Sequence, residues 1–380
     1  MKTKTGIERI KQHASIFENK RVGLITNPTG IDSMFKTTID IMKEETNLVS
    51  LFSPEHGIRG NLQAGVHLDN YIDPQTNAMV FSLYGQTRKP TKEMMETIDC
   101  LAMDIQEVGS RFYTYIYTMA YAMMACKEFD KEFVIFDRPN PIGCNEVEGN
   151  ILDLAYRSFV GYYAMPQRYG MTIAELAKMF NEEFGIGCKL HVVLMENYTR
   201  DMSFEDTLLP WVSPSPNIPT IDTAYAYNGT CIFEGTNVSE GRGTTKPFEV
   251  VGAPWVDGFE YANALNRLNL PGVHFRPFFF TPMFSKQEKQ LCGGVQLHVT
   301  DRLAFKPVKT GWSMLHVIRE LYPNDFKVLD PYVAGRPCML DYNTGGEFIR
   351  NNRYTLEQLF NILDRETKDF EATRSKYLIY

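Results

Sequence analysis

The chain has 380 residues, which favours two domains, and its apolar and charged fractions of 44% and 22% are typical of a globular protein. The 39 Lys and Arg residues against 46 Asp and Glu give a net charge of −7, so we expect neither nucleic acid nor an anionic membrane surface as a partner. Aromatic residues make up 13% of the chain, enough to supply both a core and a groove for a flat ligand.

Short apolar strands alternate with helical patterns along the first 200 residues. The predicted strands span residues 21–26, 48–52, 80–83, 100–104 and 133–137. Strands of this length separated by helices are typical of βαβ units. We therefore predict an α/β fold with a Rossmann-like, layered, mostly parallel sheet over residues 1–200.

The helices of this first domain are predicted at residues 33–44, 91–97 and 113–129. The first turns of the last helix contain Tyr113, Tyr115 and Tyr117. We expect most of these tyrosines to pack in the core. A further helix is indicated by Thr172 as N-cap and Glu175 three residues later, which together form a capping-box pattern. An apolar run at 190–195 follows it.

Beyond residue 200 the pattern changes. Residues 211–220 are too rich in proline for a helix or a strand. They are followed by glycine-rich turns, by predicted helices near 258–268, 311–321 and 355–368, and by a predicted strand at 294–299. We therefore predict a second, smaller α+β domain over residues 201–380 that closes a cleft against the first.

Familiar cofactor and targeting signals do not occur in the sequence. It contains no GxGxxG, GxxxxGK[ST], GxSxG or HExxH motif, so we expect no cofactor. Seven cysteines form no CxxC pair, which indicates reduced thiols. The first residues lack a signal peptide and no apolar run approaches the roughly 20 residues of a membrane span, so we expect a cytoplasmic protein, or an exported one if a leader has been removed.

Polar and charged residues follow nearly every predicted strand of the first domain. The carboxyl ends of parallel strands meet at one edge of a sheet, and ligands bind in the crevice beyond that edge. The residues that we expect there are Asn27, Glu55, His56, Arg59, Asp104, Gln106, Glu107, Arg111, Asp137, Arg138 and Asn140. Polar and charged residues thus follow several strands at the same edge of the sheet. This is the main evidence from the residues for an active site.

Glu55 is the first candidate for a catalytic group. It leaves a buried strand and is followed by His56 and by the turn-forming Gly57. A carboxyl group held in such a crevice can act as a general acid, and His56 can orient it or bind a substrate hydroxyl. The alternative is a turn carboxylate that accepts hydrogen bonds from backbone N–H groups.

The other charged residues of this edge have two interpretations each. Arg59 and Arg111 can bind a ligand carboxylate, or they can form salt bridges with Asp104 or Asp137. The two aspartates can in turn work with Glu55 as an acid–base set, or bind a cation together with His56.

A second polar cluster occupies residues 233–249 of the other domain, among glycines, hydroxyl residues and aromatics. Together with the Pro-Ser-Pro-Asn segment at 214–217 it is predicted to form the opposite wall of an interdomain cleft. The candidate contacts of this wall are Asn217, Glu234, Asn237, Glu240 and Arg242.

Five long motifs of the sequence resemble those of the exo-β-N-acetylmuramidase (NamZ-type) glycoside hydrolases. They are SPEHGIRG at 53–60, DIQEVGSRFYTY at 104–115, DRPNP at 137–141, PSPNIPT at 214–220 and FEGTNVSEGRGT at 233–244. The resemblance extends from about residue 6 to the end of the chain. It implies a Rossmann-like domain with a smaller auxiliary domain, and an enzyme that releases N-acetylmuramic acid from the non-reducing ends of peptidoglycan fragments such as MurNAc–GlcNAc.

The resemblance gives the candidate residues specific roles. Glu55 falls in the Pro-Glu-His-Gly motif, the natural place of a catalytic acid, and glycoside hydrolysis requires a second carboxylate as nucleophile or base. The candidates for that second group are Asp104, Glu107, Glu234 and Glu240. The lactyl carboxylate of muramic acid gives Arg59, Arg111 or Arg242 a ligand.

Two alternative functions remain open at this point. One is a non-catalytic protein that binds muropeptides or sugars in the same cleft. The other is a metal-dependent hydrolase that uses Asp104, Asp137 and His56 as ligands. The sequence does not predict the oligomeric state.

Overall fold

A mostly parallel sheet forms the centre of the first half of the chain. The computed structural model describes residues 1–60, 69–85 and 87–380. Its first sheet contains β1 (Arg21–Thr26), β2 (Asn47–Ser53), β3 (Tyr71–Ile72), β4 (Met79–Ser82), β5 (Cys100–Asp104), β6 (Glu132–Phe136) and β7 (Lys189–Val193). The strand order is β3-β4-β2-β1-β5-β6-β7, and all neighbours are parallel except β3 and β4. The predicted layered α/β fold is confirmed.

Helices cover both faces of this sheet. They are the 3-10 helix Gly6–Ile16, α1 (Thr38–Glu45), α2 (Lys92–Glu96), α3 (Tyr115–Glu128) and α4 (Ile173–Glu182). Successive side chains of a strand point to opposite faces, so Leu101 and Met103 of β5 enter one apolar core while Cys100 and Ala102 enter the other. Both faces of the sheet are therefore buried.

The second half of the chain forms a smaller α+β unit. It contains α5 (Ile221–Thr230), β8 (Val250–Ala253), α6 (Gly258–Asn266), β9 (Val273–Phe280), β10 (Cys292–Val299), α7 (Pro307–Leu321), α8 (Met339–Thr344) and α9 (Leu356–Arg374). Its antiparallel sheet has the order β8-β10-β9. The predicted domain boundary near residue 200 lies in the connecting segment between β7 and α5, and it stays a prediction. No helix of the described ranges is long and apolar enough to cross a membrane.

The predicted elements of the first half agree closely with the structure, and the largest difference is at the start of α1. The capping box of Thr172 and Glu175 is present at the start of α4. The helix predicted from residue 33 begins only at Thr38, because the Asp32 carboxylate accepts bonds from two backbone N–H groups of residues 34–36 and holds a turn there. Thr37 then caps the helix.

Four elements of the second unit were not predicted from the sequence: α5, β8, β9 and α8. Tertiary contacts explain α5 and β9. α5 contains Gly229, whose backbone packs so closely on α7 that an added Cβ would lie 2.1 Å from the carbonyl oxygen of Pro307. A glycine that weakens a helix in isolation is thus required by helix packing. β9 contains Pro277 and lies at the edge of its sheet, where a strand tolerates the missing N–H.

The two units share one continuous apolar core, and a buried arginine joins them. The side chain of Arg111 is fully buried. Its guanidinium donates hydrogen bonds to the backbone carbonyls of Asn150 at 3.1 Å and Met165 at 2.8 Å in the first unit, and of Asn343 at 2.7 Å in the second. Burial lowers the pKa of Arg111 to about 10. The three carbonyls therefore replace water around a buried charge.

Arg111→Lys is expected to lower the free energy of unfolding by roughly 2–4 kcal/mol, because an ammonium group cannot reach three carbonyls arranged around a guanidinium plane. Urea denaturation measures this effect. Arg365→Lys is the matched control, since the side chain of Arg365 is 70% exposed. Equal stabilities of the two variants would show that Arg111 does not hold the units together.

Candidate active site

A cavity of about 530 Å³ lies where the two units meet. Such a volume is within the range of about 300–1,000 Å³ typical of small-ligand sites. The first unit lines it with the loops that follow β2 and β4, with the start of α3 and with residues 157–160. The connecting segment contributes residues 215–218, and the second unit contributes side chains from α5 to α8. The cavity wall is thus built from both halves of the chain.

Glu55 enters this cavity from the turn that follows β2. The turn places His56 and Gly57 in the left-handed region, with φ of 73° and 82°, and a non-glycine residue in that conformation is uncommon. The hydroxyl of Thr114 donates to Glu55 Oε2 at 3.0 Å. Burial, together with the charge and hydrogen bond of Glu55, raises the pKa of Tyr84 to about 12, so this phenol stays protonated. Hydroxyl groups therefore surround the Glu55 carboxyl, and His56 lines the same cavity.

A second carboxylate, Glu234, faces the cavity from the 3-10 helix Cys231–Gly235 of the second unit. Arg242 donates to Glu234 Oε1 from Nε at 3.1 Å and from Nη2 at 2.6 Å. The Arg242 guanidinium also lies 3.5 Å from Glu240, which in turn pairs with Lys286 at 2.6 Å. Although burial opposes it, the charges of Glu234 and Glu240 raise the pKa of Arg242. Glu234 is therefore held beside a permanent positive charge.

An aromatic wall connects the two units across the cavity. Tyr113 of the first unit meets Tyr227 of the second edge-on, with ring centroids 5.9 Å apart, and Tyr227 meets Phe248 in the same way at 4.7 Å. Tyr115 extends the wall and donates its hydroxyl to the carbonyl of Pro214 at 2.7 Å. Tyr113 and Tyr115 are buried in the apolar core as expected, and they also line the cavity.

Tyr117, the third residue of that series, is fully buried in the core as expected. The helix α3 begins at Tyr115, two residues later than predicted. Tyr113 therefore belongs to the loop before the helix. Of the residues predicted for the site, the structure places Glu55, His56, Asn217, Glu234 and Arg242 around the cavity.

Other predicted residues bind one another at the sheet edge instead. Asp104 forms a buried ion pair with Arg138, with Nε and Oδ1 2.5 Å apart, and also accepts a hydrogen bond from Thr38. Arg138 donates further to the carbonyl of Ile31 at 2.7 Å. These side chains fill the space next to β1 and β5, where the strand order reverses and doubly wound proteins bind ligands. Beside Trp211 a space of only about 10 Å³ remains there.

The predicted amides of this edge also serve the loops. Asn27 accepts hydrogen bonds from the backbone N–H and the hydroxyl of Thr29, at 2.9 and 2.6 Å. Gln106 donates to the carbonyl of Pro139 at 2.8 Å, and Asn140 donates to a backbone carbonyl just before α4. All three amides are buried and lie outside the cavity lining.

Two predicted arginines and one predicted asparagine also lie outside the cavity lining. Arg59 pairs with Asp73 at 3.0 Å, and Arg111 donates to backbone carbonyls, so the salt bridges expected with Asp104 and Asp137 do not form. Asn237 donates to the carbonyl of a residue near the end of α7, and its Oδ1 accepts from a backbone N–H in the same loop. Glu240 is buried behind Arg242.

Two buried carboxyl groups of the first unit have strongly raised pKa values but lie outside the cavity lining. Burial raises the pKa of Glu107 to about 7, and this side chain accepts hydrogen bonds from the Tyr169 hydroxyl and the Gly109 N–H. Burial likewise raises the pKa of Asp137 to about 7. The carboxyl of Asp137 accepts bonds from a backbone N–H of α4 and from the hydroxyl of Tyr380.

The ligand set of the metal-dependent alternative is not assembled. Asp104 is bound by Arg138, Asp137 is bound by hydroxyl and backbone donors, and His56 lines the cavity. In the part of the chain that the structure describes, no group of three or more His, Cys, Asp or Glu side chains is placed to hold a metal ion. The interpretation that uses these three residues as metal ligands is therefore wrong.

Comparison with known proteins now places this two-unit α/β protein and its carboxylate-lined cavity in a class of glycosidases. The family model described as exo-beta-N-acetylmuramidase NamZ, N-terminal, matches residues 22–222, and its C-terminal counterpart matches residues 225–380. The chain is 49% identical over 385 residues to the peptidoglycan beta-N-acetylmuramidase NamZ of Bacillus subtilis strain 168, covering 100% of this chain and 92% of that protein. The chain belongs to the exo-β-N-acetylmuramidase NamZ family.

Two solved structures share the whole fold. Both are DUF1343 family proteins from Bacteroides fragilis NCTC 9343. One superposes with a TM-score of 0.90 at 39% identity and the other with 0.78 at 32%, and each covers 100% of this chain and 99% of its own. The family resemblance found from the motifs is confirmed by the family models and by the Bacillus subtilis relative.

Several cavity residues were not among the sequence candidates. They are Tyr84, Arg88, Thr114, Arg157, Phe159, Tyr227, Phe248 and Tyr342. Arg88 follows the end of β4. Polar residues after the other strands were treated as candidates, so the same criterion could have identified Arg88. Arg157 and Phe159 stand in a segment without a motif, and only the tertiary structure brings them to the cavity.

The buried carboxyls predict how stability depends on pH. Folded Glu107, with a pKa raised from 4.5 to about 7, binds a proton that the unfolded chain releases in this interval. The free energy of unfolding should therefore rise as the pH falls from 7.5 to 5.5, by up to about 1.4 kcal/mol per pH unit for each such group. Urea unfolding at three pH values measures the slope.

Glu107→Gln replaces the carboxyl by a neutral group of the same shape. It should reduce the slope of the free energy of unfolding against pH. Glu357→Gln, a change at an exposed position, should leave it as in the original protein. A Glu107→Gln variant with an undiminished slope would contradict the assignment.

Proposed function

We propose that this protein is a glycoside hydrolase that releases N-acetylmuramic acid from the non-reducing ends of peptidoglycan fragments such as MurNAc–GlcNAc. Glu55 is the general acid of the reaction and Glu234 is its carboxylate partner. Membership of the NamZ family and the cavity between the two units support this proposal.

The main support for this proposal is that two carboxyl groups with different surroundings line the same cavity. Glu55 is surrounded by the hydroxyl of Thr114 and the protonated phenol of Tyr84. Glu234 receives two hydrogen bonds from the guanidinium of Arg242. Different surroundings assign different roles to two carboxyl groups of one site, and a glycosidase needs one proton donor and one anion.

Placement also supports Glu234 among the four candidates for the second carboxylate. Asp104 is neutralised by Arg138, Glu107 is fully buried beside Tyr169, and Glu240 lies behind Arg242. Glu55 and Glu234 both line the cavity, from opposite units.

In the proposed reaction the Glu55 carboxyl gives its proton to the glycosidic oxygen as the bond to the leaving sugar breaks. As this bond breaks, the Glu234 carboxylate either attacks the anomeric carbon, giving a glycosyl ester that water then hydrolyses to free N-acetylmuramic acid, or removes a proton from the water that attacks that carbon. The aromatic wall of Tyr113, Tyr227 and Phe248 offers ring faces and edges on which a sugar packs.

Glu55→Gln should lower the release of N-acetylmuramic acid from a MurNAc–GlcNAc disaccharide by about 10²–10⁴-fold, because an amide keeps the shape but donates no proton to the leaving oxygen. Product release measured by chromatography tests this. Glu18→Gln, at an exposed position on the 3-10 helix side of the sheet, is the matched control and should be unaffected. Unchanged turnover by Glu55→Gln would remove Glu55 from the mechanism. Saturable binding of the disaccharide without any product from the original protein would favour the non-catalytic alternative.

Glu234→Ala should likewise lower turnover of a 4-nitrophenyl β-N-acetylmuraminide by about 10²-fold or more, since the developing positive charge at the anomeric carbon loses its anion. The anomer of N-acetylmuramic acid that the original protein releases first, observed by NMR, distinguishes the two courses: the β-anomer indicates that Glu234 acts as nucleophile, and the α-anomer indicates that it acts as base. A Glu234→Ala variant with activity within threefold of the original protein would show that another group is the partner of Glu55.

A further inference from the structure

Three arginines line the cavity, and they differ in whether a carboxylate pairs with their guanidinium group. Arg242 belongs to the second unit and lies against the carboxylates of Glu234 and Glu240. Arg88 and Arg157 belong to the first unit and have exposed side chains. Among residues 1–60, 69–85 and 87–380, neither of these two forms an ion pair with a carboxylate. The first unit therefore presents two guanidinium groups to the cavity, beside the carboxyl of Glu55.

Aromatic rings hold the two guanidinium groups in place. Arg88 lies over the ring of Phe159, 3.9 Å from its centroid, and Arg157 lies over the ring of Tyr162 at 4.8 Å. Tyr121 connects the two rings, since it stacks on Phe159 at 6.2 Å and meets Tyr162 edge-on at 5.3 Å. The two arginines thus sit on one continuous aromatic support.

Stacking leaves the hydrogen-bonding capacity of a guanidinium unused. The contact with a ring occupies the face of the group, while its N–H donors lie in its plane and match the two oxygens of a carboxylate. An arginine held in this way has already lost much of its side-chain freedom, so binding an anion costs less conformational entropy. The pair is therefore arranged for an acidic group of a ligand.

We infer that Arg88 and Arg157 form the subsite that binds the lactyl carboxylate of the muramic acid residue and selects it over N-acetylglucosamine. The inference rests on the proposed function, since it names the substrate group that the same cavity recognises. N-acetylmuramic acid differs from N-acetylglucosamine by its lactyl ether, whose carboxylate is the negative charge of the sugar. The arginines first considered for this role are engaged elsewhere: Arg59 with Asp73, Arg111 with backbone carbonyls and Arg242 with Glu234.

The test compares three aryl β-glycosides: those of N-acetylmuramic acid, of its lactyl methyl ester, and of N-acetylglucosamine. The protein is used as the full chain, alone and with Arg88→Gln, Arg157→Gln and the double change. Each variant should lose roughly 10- to 100-fold in kcat/KM on the free acid, mostly through KM, because a charge-assisted contact made in the bound state is lost. On the methyl ester the loss should stay within about threefold, so the preference for the free acid disappears in the double variant.

Arg276→Gln is the matched control. Arg276 is another exposed arginine that lies over an aromatic ring, that of Phe278 at 5.1 Å, but on β9 and outside the cavity lining. This change should leave the activity on all three substrates as it is. Arg88→Lys and Arg157→Lys should keep part of the preference, because they retain the charge without the planar group.

The outcomes separate the inference from the function on which it rests. If the original protein cleaves the muraminide and the double variant keeps the full preference for the free acid, the assignment of the arginines is overturned while the proposed function stands. If equal losses occur on the acid and on the ester, the arginines do not recognise the carboxylate. If the original protein cleaves none of the muraminides, the proposed function itself fails.

Discussion

The placement of a single buried guanidinium, that of Arg111, determines much of the remaining structure. A charge removed from water must be surrounded by hydrogen-bond acceptors, and this one is surrounded by carbonyls from both units. The same short segment continues directly into Tyr113, Thr114 and Tyr115, which line the cavity, and the hydroxyls of Thr114 and Tyr115 donate hydrogen bonds to Glu55. The segment that joins the two units therefore also forms one wall of the site.

The position of the cavity follows from what fills the centre of the sheet. In doubly wound folds the crevice where the strand order reverses is the usual place for a ligand. Here the buried pair of Asp104 and Arg138 occupies it, and Trp211 covers it. The space that remains for a substrate lies to one side, beyond β2 and β4, where the second unit supplies the opposite wall with Glu234 and Arg242.

Local patterns sufficed to predict most of the fold, because apolar runs mark buried strands regardless of their partners. They failed at α5 and β9, where Gly229 and Pro277 oppose the element locally and tertiary packing overrides that preference. At the site, position after a strand identified Glu55 and His56 but equally selected Asp104 and Arg138. A polar residue that binds a substrate and one that binds a neighbour have the same sequence signature, so only the three-dimensional partners distinguish them. The ring that supports Arg88, that of Phe159, is distant in sequence, and Arg157 stands in a segment without a motif.

The continuous apolar core has a consequence for the evolution of this architecture. One cluster of buried side chains extends from Ile25 and Phe52 of the parallel sheet to Phe275 and Leu363 of the second unit. A half-chain inherited without the other would expose that surface to water, at about 25 cal/mol for each Å² of apolar area, and would carry half of the aromatic wall. Shuffling of the halves as separate modules is therefore disfavoured, and changes in specificity are expected to arise from substitutions of the residues that line the cavity.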